Sequence, residues 1–162
     1  MIALSTTRQH GAPRRATSSG FSLIELLIVV AIILIIAAIA IPNLLRARMS
    51  ANEASAVSSI HSVNTAEIAY ASANPLIGFS AALVDLGPAN GGYIDATLAG
   101  GSKSGYVFTY VQTAGAPSQG YTFNADPQKR SVTGQRSFYS DQGNVTHYDP
   151  SVPATAASLI LQ

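Results

Sequence analysis

The chain has 162 residues, enough for one core and little more. Hydrophobic residues make up 48% of it and charged residues only 10%, far below the quarter usual in soluble globular chains. Nine Lys and Arg against eight Asp and Glu leave no large basic surface for nucleic acid, and the lack of cysteine excludes a disulfide framework, a thiol nucleophile and thiolate metal ligands.

Residues 1–20 carry Arg8, Arg14 and Arg15 with no acidic residue, and end in Ser18-Ser19-Gly20. This block reads as a cytoplasmic, membrane-facing leader. Its loss after Gly20 removes three of the nine basic residues, leaving six against eight acidic ones, formally −2.

The next block, residues 21–41, reads FSLIELLIVVAIILIIAAIAI, with Ser22 and Glu25 as its only polar residues. As a helix it rises roughly 31 Å, the thickness of a bilayer core. A helix buried in a soluble protein keeps a polar stripe, and none exists from Leu26 to Ile41. The run is too long for the apolar part of a secretory signal peptide, and no A-x-A site follows it. Glu25 is the one residue that needs a reason. A carboxylate at the start of a membrane helix is either an interfacial group tolerated by the helix dipole or a partner for a cation. Cleavage after Gly20 would create that cation, an α-amine on Phe21, four residues before Glu25 and within reach from the same or a neighbouring chain.

The run from Gly20 through Phe21, Ser22, Leu23, Ile24 and Glu25 to Ile33 resembles the class III signal segment of type IV pilins and type II secretion pseudopilins. The resemblance implies that a prepilin peptidase cuts after Gly20 and N-methylates Phe21. It implies that Glu25, the fifth mature residue, pairs with a neighbour's N-terminus during assembly, and that Pro42 is the family proline that bends the long helix. The 20-residue leader, with Ser19 in place of Lys or Arg before the glycine, departs from the short basic type and implies slower or more selective processing. The fold implied is α+β and pilin-like: a long N-terminal helix, transmembrane in its first half, packed on a small antiparallel sheet.

Beyond residues 21–42, the spanning and filament-core half, helical spacing continues over 43–74. There Leu45, Met49, Ala56, Ile60, Val63 and Tyr70 recur at intervals of three, four or seven, with Arg46, Arg48, Glu53 and Glu67 as polar positions. A bend is expected near Ala38–Asn43, because Pro42 lacks an N–H and its ring clashes with the preceding turn. A helix running from Phe21 to about Ser72 would be roughly 78 Å long, and Asn74-Pro75 stops it.

The connecting region, 75–104, should hold a short helix capped by Ser80 and ended by Gly87-Pro88. A second, over Ala96–Ala99, should be capped by Asp95 and ended by Gly100-Gly101. Over 105–149 the period falls to two. Tyr106–Val111, Tyr121–Phe123, Ser137–Tyr139 and Val145–Tyr148 predict about four antiparallel strands, with a turn at Asp141–Asn144 and the aromatic residues facing the helix. Residues 150–162 form a tail ending in apolar SLILQ, expected to dock on the head or on a neighbouring subunit.

The search for chemistry is nearly empty. Scattered aspartates form no calcium-loop pattern, and Asp141–Asn144 reads as a plain turn before it reads as a set of oxygen ligands. His10, His61 and His147 lack zinc spacing, no phosphate-binding glycine loop is present, and the Asn144-Val145-Thr146 sequon is a short match. The sequence therefore predicts no enzyme, cofactor or metal. It predicts a structural subunit that polymerises through its N-terminal helix into a pilus-like filament, starting from the inner membrane with its head outside the cytoplasm. The alternatives are a secretion pseudopilin in a short periplasmic filament, or a minor or tip pilin. The partners implied are further copies of the chain, a prepilin peptidase, an inner-membrane platform and a separate motor ATPase, with minor pilins and an outer-membrane secretin as additional candidates.

Overall fold

A computed structural model describes residues 20–161. The leader with Arg8, His10, Arg14 and Arg15, up to Ser19, lies outside the described residues. The chain divides at Ile39/Ala40 into an N-terminal unit and a head-bearing unit.

Helix α1 runs over Leu23–Ala73 with Pro42 inside it. In its first part every residue from Phe21 to Ile36 is exposed, and Leu26 to Ile41 are uniformly apolar, with no polar face to turn to water. In its second part a buried stripe appears at Glu53, Ala56, Ile60, Val63 and Glu67, spaced three and four residues apart. The helix ends where expected. Asn74 donates its backbone N–H (2.9 Å) and its side-chain Nδ2 (3.0 Å) to the Tyr70 carbonyl, and Pro75 cannot continue the ladder.

The connecting region folds as two short 3₁₀ turns, Leu83–Leu86 and Pro88–Asn90, followed by α2 at Ala96–Ala99. Asp95 caps α2 as expected, accepting from Thr97 and Leu98 N–H, both at 3.0 Å. Ser80 is not a cap. The first turn starts after Ala82, whose N–H is bound by the Asp85 carboxylate at 3.0 Å, while Ser80 turns inward to Glu67. Gly87-Pro88 ends the first turn and opens the second.

The sheet has six strands rather than about four, in the sequential order β1 to β6, all antiparallel. β2 (Tyr106–Gln112), β3 (Tyr121–Pro127), β4 (Ser137–Asp141) and β5 (His147–Asp149) are the strands legible in the sequence. Two-residue edge strands were not: β1 (Ser102–Lys103) and β6 (Leu159–Ile160), the latter seating the tail on the head beside His147 and Tyr148. Period-two burial along β2 and β3 points Tyr106, Phe108, Tyr121, Phe123 and Ala125 at the helix, where they close with Phe138, Ile60, Val63, Leu86 and Leu98 into one core. The rings pack in contact: Phe108 stacks on Phe123 at 5.5 Å, Tyr110 on Tyr121 at 5.5 Å, and Phe79 meets Tyr121 edge-on at 5.0 Å.

Candidate functional site

Two places on this chain hold polar chemistry in an apolar setting. The first is the start of α1. Among the described residues nothing crowds Gly20, and Phe21 is exposed. The Glu25 Oε2 accepts the Ser22 backbone N–H at 2.9 Å, one half of a capping box, with the third helical residue reaching back over the helix start. The carboxylate therefore satisfies one of the donors that a helix N-terminus leaves open, and does so on an exposed side chain. Pro42 lies seventeen residues further along α1. Its ring removes the N–H that would bond the Ala38 carbonyl. Residues 26–41 between them offer only hydrocarbon, on every side of the helix. α1 is the one helix among the described residues long and apolar enough to cross a membrane.

The second place is the head face of α1, where two of the four polar positions read from the sequence turn inward. Glu53 and Glu67 lie inside, as does Asn64. Glu53 Oε1 accepts the backbone N–H of Gln135 (2.8 Å) and Arg136 (3.1 Å), and Oε2 accepts Arg136 Nε at 2.7 Å. Burial pushes this carboxyl's pKa up, but the hydrogen bonds from Gln135 and Arg136 outweigh it and hold the group below the usual carboxylate range. Asn64 Nδ2 donates to Ser140 Oγ (2.9 Å) and Asn144 Oδ1 (2.7 Å), and Asn64 Oδ1 accepts from the Tyr121 hydroxyl (2.9 Å). Glu67, fully buried, accepts from Ser80 N–H at 3.0 Å and Ser80 Oγ at 2.5 Å, while the Tyr110 hydroxyl donates to the Ser80 carbonyl. The hydroxyls of Tyr110 and Tyr121 are pushed above their ordinary pKa by burial first and by the Glu67 charge as well. Three side chains of one helix thus bind the β3–β4 loop, the β4–β5 turn and the connecting region. They form a clasp that orients the head and do not face a substrate.

The remaining candidates fall apart on inspection of geometry. Asp141 Oδ1 accepts Gly143 N–H at 2.8 Å, the bond of a plain turn, and Tyr139 donates to its other oxygen. His61 is exposed on α1, and His147 Nδ1 sits 2.9 Å from the Ser158 carbonyl. Among the described residues no cluster of His, Cys, Asp or Glu is grouped to hold a metal ion. In the sequon, Asn144 is tied to Asn64 and the Thr146 side chain is buried.

A single apolar helix that presents bare hydrocarbon, with one carboxylate at its start, leads into an α+β head held by a polar clasp, the plan of a chain whose N-terminal helix is long and apolar enough to cross a membrane. Residues 15–41 match the prokaryotic N-terminal methylation motif. Over 78 residues the chain is 45% identical to the type IV wide pilus major component PilA4 of Thermus thermophilus, a match covering 45% of this chain and 60% of that protein. The aligned part thus spans well under two thirds of that relative's length. No solved structure matches the chain. The chain thus carries an N-terminal methylation motif and is similar over part of its length to a type IV pilus component.

Proposed function

We propose that this chain is a subunit of a type IV pilus-like filament on the cell surface. In this reading a prepilin peptidase cuts between Gly20 and Phe21 and methylates the Phe21 amine, and the mature helices then pack side by side in the filament core. The observation that carries the reading is the bare apolar surface of residues 26–41 with Glu25 alone at its start. Hydrocarbon gives little preference for one helix neighbour over another in lipid, so register has to come from a polar pair. Glu25 is free to make that pair. Among the described residues its one hydrogen bond is to the Ser22 N–H, a backbone donor that cleavage leaves in place one residue from the new amine. An ammonium on a neighbour's Phe21 facing Glu25 in a low-dielectric setting supplies both attraction and register, against the desolvation of both groups. The proline at 42 would let the helix loosen as copies pack. The wide-pilus role in the name of the Thermus relative supports a pilus over a secretion pseudopilin. Export would then draw on an inner-membrane platform and a separate motor, with minor pilins and a secretin as further partners.

The test is filament yield by shearing and electron microscopy, with intact-mass analysis of the subunits. The expected subunit starts at a methylated Phe21. Glu25→Ala should leave membrane insertion and processing intact while filaments fall sharply, and Glu25→Gln should also fail, since it keeps the shape and loses the charge. Normal filaments from a correctly processed Glu25→Ala chain, or filaments built of subunits that retain residues 1–20, would overturn the reading.

A further inference from the structure

Six basic residues follow Gly20: Arg46, Arg48, Lys103, Lys129, Arg130 and Arg136. Arg46 and Arg48 follow Ile41 on α1 itself. The loop after β3 brings Lys129 and Arg130 to the same level, because Asn52 Nδ2 donates to the Thr133 carbonyl at 2.7 Å and Glu53 binds Gln135 and Arg136. Lys103, on β1, pairs across to Tyr106 at the start of β2. Two of these cations are neutralised: Lys103 by Asp95 at 2.8 Å and Arg136 by Glu53 at 2.7 Å, the two ion pairs among the described residues. Arg130 is turned onto the carbonyls of Gln135 and Pro150 and onto Ser137 Oγ. Of the other carboxylates at this end, Asp149 is folded back onto the N–H groups of Ser151 and Val152, and Asp126 extends from β3. Arg46, Arg48 and Lys129 take part in neither ion pair, and all three are exposed.

Beside them is exposed hydrocarbon. Val132 stands at the tip of the turn between Ser131, at φ 65°, and Gly134, and is 51% exposed. It shares a groove of about 440 Å³ with Leu45, Arg48 and Gln128. Apolar side chains flanked by unpaired cations make an interfacial surface, suited to the boundary between acyl chains and headgroups.

We infer that this end of the head rests on the anionic lipid surface of the membrane from which the subunit is drawn, with Arg46, Arg48 and Lys129 on phosphates and Val132 and Leu45 within the headgroup layer. Height decides for a lipid over a protein partner. Helical rise carries Leu45 about 6 Å, Arg46 about 7 Å and Arg48 about 10 Å beyond Ile41, against a headgroup layer of roughly 5–8 Å on each side of the bilayer core. Arg46 and Arg48 are two residues apart on the helix and point to nearly opposite sides. A protein partner would meet one of them, whereas a lipid surface surrounds the helix and meets both. The inference concerns the subunit before assembly and holds whether or not it forms a pilus.

The chain contains no cysteine, so Val132→Cys gives a unique thiol for an environment-sensitive fluorophore. The full-length chain is placed in nanodiscs of phosphatidylcholine alone or mixed with phosphatidylglycerol, with spin-labelled lipid as quencher. Gln119→Cys, exposed in the β2–β3 connection, is the reference site. Quenching at 132 is expected in the anionic discs. It should fall to the level of site 119 in phosphatidylcholine, at high salt, and in an Arg46→Gln/Arg48→Gln/Lys129→Gln variant whose circular dichroism is unchanged. Equal quenching in both lipids, or quenching that survives the triple substitution, would overturn the inference. Shielding of site 132 that arises only in assembled filaments and ignores lipid charge would overturn it too, and would assign the surface to a second copy of the chain.

Discussion

Replacing Glu53 by alanine tests the clasp at its most connected point. The change removes the acceptor of three hydrogen bonds, from Gln135 N–H, Arg136 N–H and Arg136 Nε, and leaves a guanidinium without its counter-ion. Removing one partner of a buried pair costs on the order of 3–5 kcal/mol, and each stranded donor on the order of 1–3 kcal/mol. Those figures overlap, because they count the same bonds twice. The Arg136 side chain is also 38% exposed, so water recovers part of its solvation. About 3 kcal/mol is the resulting expectation, with about half of that for Glu53→Gln, which keeps an acceptor for the backbone donors and loses the charge. Arg136→Ala should fall between, since it also removes the guanidinium lying 5.5 Å over the Phe138 and Tyr148 rings. The assay is denaturant unfolding of the full-length chain in detergent, followed by near-ultraviolet circular dichroism of tyrosine, the chain having no tryptophan. The α1 span stays in the micelle, so the signal reports the head. A Glu53→Ala head within about 0.5 kcal/mol of the parent, the scatter of an ordinary surface substitution, would refute the reasoning.

Acid should act through the same residue. Because the folded-state pKa of Glu53 is depressed, its contribution is complete above the unfolded value near 4.3 and is lost as pH falls through the lower folded value, so the head should loosen below about pH 4. Glu53→Gln should flatten that acid limb of a stability–pH curve, and an unchanged limb would show that other carboxylates carry it. Gly78 holds φ +81° with its α-carbon against the Ser118 backbone, where a Cβ would lie 2.1 Å from the carbonyl oxygen. Gly78→Ala should therefore lose at least about 2 kcal/mol and free the backbone around the already exposed Leu76 and Ile77 for protease; intact resistance would show that the contact yields freely.

The long helix, its stop at Asn74-Pro75, the Asp95 cap and the four aromatic strands were legible because each rests on a local pattern of period or punctuation. The clasp was not. Glu53 and Glu67 looked like surface positions because a carboxylate is ordinarily at the surface, and what buries them are donors far along the chain: Gln135 and Arg136 for Glu53, Ser80 for Glu67. The signal was nevertheless present. The stripe through Ala56, Ile60 and Val63 extends without a break in spacing to 53 and 67, so the period placed them inside although their charge argued otherwise. Ser80 was misread for the converse reason: its neighbours suit a cap, and only the tertiary partner Glu67 turns it inward. Strands of two residues, as in β1 and β6, are too short to show any alternation. At the N-terminus the sequence named Gly20, Phe21, Glu25 and Pro42 as a set, and the structure adds the Ser22–Glu25 bond that gives Glu25 a duty at the helix start.

The sequential order of the strands has a mechanical consequence. Every strand lies downstream of α1, and the chain joins the spanning helix at a single point. In a polymer whose continuity runs through its N-terminal helices, no strand is wired in series with the pull. In a filament of the kind proposed, tension would travel from helix to helix and reach the head sideways, through the bonds of Glu53, Asn64 and Glu67 and the apolar contacts of Ala56, Ile60 and Val63. A head that opened under load would then remain tethered to an intact fibre and could refold in place, and its strands and loops could change sequence without weakening the cable.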